Sequence, residues 1–338
     1  MPISLFQSGR CSPVRGRSDP GTGLEKPQNM PIFRAVAKKI PYRVKGNTIL
    51  NQAHRMTVKI KIPFWLILAA LLLLAAEALA DARFEPVRRQ LAEDGFEAGW
   101  IDEIYAGPAV VFDLRGATSY FRHREASLNY DQFTDSASIG KARDYLQRHG
   151  AALDRAETAY GVDREVIAAI LLVETRLGTY VGKRSTLNIL SSLSALGSAW
   201  VRDSVWIEME KTPRLSRERF DQWAVDKSGW AYRELKAFLT YAAREDIDPA
   251  GVTGSYAGAF GIAQFVPTSI LMYAADGNQD GRVNLFEHED AIASVGSYLK
   301  KNGWRQNMDR EQRAKVIYRY NHSEYYVETI LTIADKLE

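Results

Sequence analysis

Residues 166–178 read VIAAILLVETRLG, an apolar helical run that ends on an acid. Ile167, Ile170 and Leu171 recur at the spacing of a buried helix face. Glu174 lies seven, four and three residues after them, and Leu177 continues the same face. A carboxylate in that position points into the protein. Burial disfavours its ionised form and raises its pKa, which is what a general acid needs near neutral pH. A structural ion pair with Arg176 or Lys183 explains the same residue without any chemistry.

The surrounding pattern predicts a mostly α chain. Apolar periodicity marks helices over 84–92, 98–105, 136–149, 151–160, 166–177, 185–196, 232–244, 291–301, 311–320 and 324–336. Gly150, Gly161 and Gly197 serve as stops, and Asp163 as a cap for the central run. Residues 108–114 are short, apolar and extended in character. Residues 200–232 break the rhythm and carry four of the seven tryptophans, Trp200, Trp206, Trp223 and Trp230. Such rings either stack on sugars or form a small local core; the core reading is the preferred one.

The front of the chain differs from the rest. The first 80 of 338 residues hold 12 Lys and Arg against 3 Asp and Glu. Removing them from totals of 44 and 41 leaves 32 and 38, so the remainder is acidic. The overall basic balance is no argument for nucleic-acid binding. Residues 56–80 carry Lys59 and Lys61, an uninterrupted apolar stretch of 13 residues from Phe64 to Ala76, and Ala78-Leu79-Ala80. This is the pattern of a secretory signal peptide. A retained anchor is the alternative, although the stretch falls short of the roughly 20 residues a span needs and Glu77 interrupts it. Residues 1–55 have no periodicity and read as a disordered leader or a start assigned too early. Cys11 is the one cysteine; the mature chain therefore lacks a disulfide, a thiolate nucleophile, a cysteine-ligated metal and a lipobox. A periplasmic location follows as the expectation.

Three further stretches bear on chemistry. Asp276–Glu287, DGNQDGRVNLFE, fits the calcium-loop pattern D-x-[DN]-x-[DN]-G-x5-E. Asp276, Asn278 and Asp280 offer side-chain oxygens, Arg282 its carbonyl and Glu287 the final carboxylate. An acidic surface turn is the plain alternative. Gly254–Ser269, GSYAGAFGIAQFVPTS, is rich in small residues that let backbone approach closely. Gln264 is its lone amide, suited to a buried partner or a polar substrate; tight helix packing accounts for the small residues equally well. The tail Tyr320–Tyr326, YNHSEYY, mixes rings and amides in a way that suits a carbohydrate cleft. His322 is given no role.

Taken together these stretches resemble the lytic murein transglycosylase B family, periplasmic enzymes that cleave peptidoglycan glycan strands. The resemblance rests on YGV at 160–162, VETRLG at 173–178, GSYAGAFGIAQFVPTS at 254–269, DGNQDGRVNL at 276–285, DAIASVGSYL at 290–299, NGW at 302–304 and YNHS at 320–323. It implies a lysozyme-like catalytic core at 151–338 with additional helical elements and an EF-hand-like calcium loop at 276–290. It also implies an N-terminal helical region at 81–150 and leaves 199–231 as an insertion outside the family pattern. Glu174 is then the catalytic acid/base. Ser255, Gln264, Tyr298, Tyr320, Asn321, Tyr326 and, by a looser match, Tyr130 fall on substrate-binding positions. The last calcium ligand shifts from Glu287 to Asp290 in the family, and both are carried here with Asp290 preferred.

The implied reaction uses one acid where most glycosidases use two carboxylates. It yields 1,6-anhydro ends without water. The competing readings are a hydrolytic muramidase and a catalytically inactive glycan-binding envelope protein. Structural calcium is the only cofactor implied. Glycan strands are the expected partner, with cell-wall synthesis or division proteins beside them, no nucleic acid, and a monomeric chain.

Overall fold

The computed structural model describes residues 82–119, 129–209 and 216–338. The leader and signal-peptide expectations for residues 1–80 lie outside these. Among the described residues no helix is long and apolar enough to cross a membrane.

The chain is built from helices, as its periodicity predicts. They are α1 (82–93), α2 (Ala98–Tyr105), α3 (Leu114–Ser119), α4 (Ser136–Arg148), α5 (Gly150–Tyr160), α6 (Arg164–Thr175) and α7 (Thr186–Ala195). Then follow α8 (Ala199–Met209), α9 (Arg217–Glu245), α10 (Pro267–Tyr273), α11 (His288–Lys301), α12 (Arg310–Tyr320) and α13 (Glu324–Leu337). Two two-residue strands, β1 (Arg184–Ser185) and β2 (Thr253–Gly254), pair antiparallel with Arg184 opposite Gly254 and Ser185 opposite Thr253.

Helix α6 is the hub. Every residue from Val166 to Thr175 is buried, so the helix is covered on all sides rather than along one stripe. The neighbours that cover it are α4, α5, α11 and α13. A helix apolar all round belongs in the interior, and each large aliphatic side chain buried there contributes about 1.5–3 kcal/mol. Asp163 stands at its N-cap but makes no side-chain cap bond; its carboxylate instead meets Arg313 at 3.2 Å. Gly150 does not close α4: His149 caps it and Gly150 opens α5.

The tryptophan-rich stretch is helical too. Helix α9 runs unbroken through 29 residues, about 43 Å at 1.5 Å per residue, where a helix beginning at residue 232 is expected from the pattern. Ser216 caps it by accepting from the Arg219 N–H. Trp206 packs on Phe220 with centroids 5.3 Å apart, and the buried Lys227 places its Nζ 4.0 Å from the Trp230 centroid. These contacts fit the local-core reading for both rings; Trp200 is 43% exposed and takes no part.

The two strands fix the approach of residues 180–185 to the small-residue loop. Gly182 has φ +98°, and a Cβ there would meet the Gly254 carbonyl oxygen at 2.1 Å. Only glycine accepts both the conformation and the space. Gly182→Ala is therefore expected to lower stability by about 2–4 kcal/mol in chemical denaturation; an unchanged midpoint would contradict this packing.

Candidate active site

Glu174 is the penultimate residue of α6 and is 2% exposed. The helix stops immediately after it. Arg176, Leu177 and Gly178 have φ of +52°, +60° and +82°, a left-handed run that L-residues adopt at a cost. The run is tied down at several points. The N–H groups of Arg176 and Leu177 donate back to Leu172 and Leu171, the pattern of a closing helix turn. Thr175 Oγ1 donates to the Ile262 carbonyl at 2.9 Å and accepts from Gly178 N–H at 2.9 Å. Leu177 is buried through this turn rather than by continuing the helical face. The arrangement locks the end of α6 against residues 254–266.

The Glu174 Oε1 accepts a hydrogen bond from the Tyr326 hydroxyl at 2.8 Å. Tyr326 sits in the first turn of α13, whose N-cap Ser323 accepts from the Tyr326 N–H. Tyr326 stacks against Tyr320 with centroids 6.3 Å apart, and Tyr320 meets Tyr298 edge-on at 4.8 Å. Burial pushes the Tyr326 and Tyr320 phenols well above the usual range, and the negative charge of Glu174 pushes them further. Tyr326 is thus a fixed donor. Arg176 is exposed and donates to Gln132 Oε1 at 2.8 Å.

A cleft of about 350 Å³ opens beside the acid, lined by Phe133, Val173, Glu174, Thr175, Arg176, Thr179 and Tyr180. Glu174 is the one carboxylate among these lining residues. Phe133 belongs to the short turn Asp131–Phe133 that follows Tyr130.

The other expected site residues fall into groups. Gln264, 2% exposed and at φ +49°, donates to the carbonyls of Val181 and Gly261 at 3.0 and 2.8 Å. Its Oε1 is buried and has no hydrogen-bond partner among the described residues. Ser255 Oγ accepts from Ala257 and Ala259 N–H, which fastens its own turn. Tyr298 and Tyr320 donate their hydroxyls to the backbone of Arg319 and Ala263, each at 2.6 Å. They brace the wall behind Glu174. Asn321 is buried at 1% between α12 and α13. Tyr130 is half-buried and stacks on Tyr325 at 6.5 Å. No sequence motif marks Phe133, Thr179 or Tyr180 as cleft walls, and Tyr325 figures only within the YNHSEYY tail. Tyr180 sits two residues beyond the VETRLG motif, and no motif position marks it.

The acidic loop folds as a closed turn. Asp276 accepts from the N–H groups of Gln279, Asp280 and Gly281. Asn278 Nδ2 donates to both Asp280 Oδ2 and Glu287 Oε2, at 3.2 and 2.9 Å. Asp290, 1% exposed, takes the Gly277 N–H at 2.8 Å on one oxygen and the Asn284 N–H at 2.6 Å on the other. Among the described residues no three acidic, histidine or cysteine side chains converge as a metal cluster. The donor set is nevertheless all oxygen, apart from an Asn278 amide whose orientation is reversible. It suits a hard cation.

Comparison with known proteins adds the following. Residues 80–316 match the transglycosylase SLT domain family. The membrane-bound lytic murein transglycosylase B of Escherichia coli is 37% identical over 160 residues, 47% of this chain. That match spans only 37% of the relative's own length. Among solved structures, soluble lytic transglycosylase SltB1 of Pseudomonas aeruginosa superposes with TM-score 0.61 at 24% identity, over 76% of this chain and 98% of that one. The Escherichia coli lytic transglycosylase Slt35 in complex with calcium gives TM-score 0.58 at 21% identity, over 75% and 92%. At these identities the two structures speak for the fold.

Replacing Tyr326 by Phe removes the donor to Glu174. The expected loss is about 1–3 kcal/mol of stability. The same substitution in a Glu174→Gln background is expected to cost less, because a neutral acceptor forms the weaker bond. Equal costs in the two backgrounds, read by urea denaturation, would mean the carboxylate gains nothing from the phenol.

Proposed function

The chain belongs to the transglycosylase SLT domain family, and on that premise we propose that it is a peptidoglycan lytic transglycosylase with Glu174 as its single acid/base. The observation that carries this is the placement of Glu174: 2% exposed, held by Tyr326, yet lining a cleft. Removing a carboxylate from water disfavours its charged form. Burial thus favours the protonated form while the Tyr326 hydrogen bond holds the ionised one, so the group can release a proton and take one back.

In this reading the glycan lies in the cleft with its MurNAc–GlcNAc β-1,4 bridge beside Glu174. The acid protonates the bridging oxygen as the bond from that oxygen to carbon 1 breaks. The N-acetyl group of the muramic sugar steadies the cationic carbon. The ionised Glu174 then takes the proton of the sugar's 6-hydroxyl, whose oxygen bonds to carbon 1. The product is a 1,6-anhydro end, no water is consumed, and Glu174 is protonated again. Tyr326 stabilises the carboxylate in the interval between the two transfers. Among the described residues lining the cleft there is no second carboxylate to act as nucleophile or base, which supports intramolecular attack over hydrolysis.

The murein named for the 37%-identical relative is the natural substrate for such a site. Export to the periplasm follows from the pattern of residues 56–80. Calcium, named for one fold neighbour, is proposed as a structural ion on Asp276, Asn278, Asp280, the Arg282 carbonyl and one of Glu287 and Asp290. It would screen the mutual repulsion of these acids. It supplies no step of the reaction.

Two outcomes follow. Digests of purified peptidoglycan by the wild type are expected to show anhydro products, lighter by one water than those of a muramidase, and Glu174→Gln to lose at least about a thousandfold in rate. Products carrying the extra water would support the muramidase reading instead. Calcium added to chelator-treated protein is expected to raise Tm by several degrees, about what 1–2 kcal/mol gives in a chain of this size. Glu287→Gln and Asp290→Asn, compared side by side, identify the closing ligand as the one whose loss abolishes that rise.

A further inference from the structure

Thr175, next to the acid, is 1% exposed and carries a hydroxyl that burial alone does not call for. It closes a helix whose residues from Val166 onward are all buried, and a hydroxyl in such surroundings costs free energy unless it is bonded. A threonine inside a helix can bond the carbonyl four residues back. Here that carbonyl, of Leu171, lies 3.4 Å from Thr175 Oγ1, and the shorter contact, 2.9 Å, runs to the carbonyl of Ile262, 87 positions away. The hydroxyl has one proton to give. With that proton on Ile262, its oxygen accepts the Gly178 N–H at 2.9 Å. The backbone carbonyl of Thr175 accepts from the Tyr180 N–H, also at 2.9 Å. One residue thus ties down both Gly178 and Tyr180 in the turn that follows Glu174.

What Thr175 bonds to is itself held. The Ile262 N–H donates to the Leu285 carbonyl at 2.8 Å, and a Cβ on Gly261 would meet Leu285 Cβ at 2.5 Å. The backbone on which the hydroxyl rests therefore has little room to shift. On the other side, a Cβ on Gly178 would lie 3.0 Å from His288 Cε1 and 3.2 Å from Ile262 Cδ1, so the turn is wedged between these two side chains. Glu174 is held at its carboxylate by Tyr326 and at its backbone by the turn that Thr175 fastens. A carboxyl that gives its proton to one oxygen and draws another from a second depends on where it sits. A misplacement of about 1 Å costs on the order of a hundredfold in rate.

We propose that Thr175 is the positioning residue of the acid: its hydroxyl, through Gly178 and Ile262, holds Glu174 at the cleft in the place from which it exchanges protons with the glycan. The hydroxyl is taken up by those two backbone groups and acts on substrate only through Glu174. The proposal rests on the transglycosylase reading of Glu174. It makes the hydroxyl of residue 175, not its bulk, the feature that sets the rate, because valine has nearly the same size and bonds nothing.

The test compares Thr175→Ser, Thr175→Cys and Thr175→Val in the full chain. It measures kcat and KM for release of anhydro ends from soluble glycan strands, and the pH dependence of kcat, well below each variant's Tm. Serine keeps both bonds, cysteine weak versions of them, and valine neither. Thr175→Val is expected to lower kcat about ten- to a hundredfold with KM changed less than about twofold. Thr175→Ser is expected to restore most of that loss, and Thr175→Cys to fall between. Loosening the turn admits water to the carboxyl and eases its ionisation, so the alkaline limb of kcat, where a general acid loses its proton, moves to lower pH in Thr175→Val. The ionisable groups around the site are the same in every variant: the Tyr320 and Tyr326 phenols of α12 and α13, Arg176 on the cleft, and His288 of α11 with Tyr145 of α4 behind Gly178. A lower Tm in Thr175→Val with kcat and the alkaline limb unmoved overturns the proposal. Should Thr175→Val not fold, Thr175→Ser and Thr175→Cys decide, and equal kcat and equal limbs in the two overturn it. Glu174→Gln is scored separately: its inactivity beside an unimpaired Thr175→Val removes this inference alone, and full activity in Glu174→Gln removes the reading it rests on.

Discussion

The hydrogen bond from Tyr326 to Glu174 joins the two ends of the described chain's logic. One partner sits at the end of a helix buried from Val166 to Thr175 and the other opens the last helix. The contact brings together residues 152 positions apart. A carboxylate that is 2% exposed is tolerated only with a partner. The packing of α13 on α6, the Tyr320 and Tyr298 rings behind it, and the turn at 176–178 all serve to keep that partner in place.

The left-handed turn after Glu174 is the second constraint. Three successive residues at positive φ are unfavourable in isolation. They persist because Thr175 bonds in two directions, to Ile262 and Gly178. The turn ends α6 one residue after the acid and sends the chain along the cleft through Thr179 and Tyr180. A helix continuing through Leu177 would have kept the acid inside a closed wall. Strain at this point opens the protein beside Glu174.

The small-residue loop has a parallel role. Its glycines let residues 254–261 pair with β1 and close on Leu190 of α7 and on the Leu285 backbone. Gln264, at positive φ, spends its amide nitrogen on Val181 and Gly261 and keeps a buried oxygen without a bond to the described residues. Buried acceptors left unmatched cost free energy.

The sequence alone determined the helical class, most of the helix boundaries and the identity of the buried acid, because each is written in local periodicity and in motifs a few residues long. Helix α6 is legible from its apolar spacing, and the closed acidic turn at 276–287 from its carboxylate and amide oxygens at fixed intervals. Tertiary structure decided what no local pattern encodes. It showed that α6 is covered on all sides, that α9 runs through the tryptophan-rich stretch, and that Tyr298 and Tyr320 turn their hydroxyls into backbone while Tyr326 alone of the three donates to Glu174. It also revealed Phe133, Thr179 and Tyr180 as cleft walls. Which side chains share a cavity depends on how helices far apart in the chain cross, and that is fixed by packing, which a period of 3.6 residues does not record.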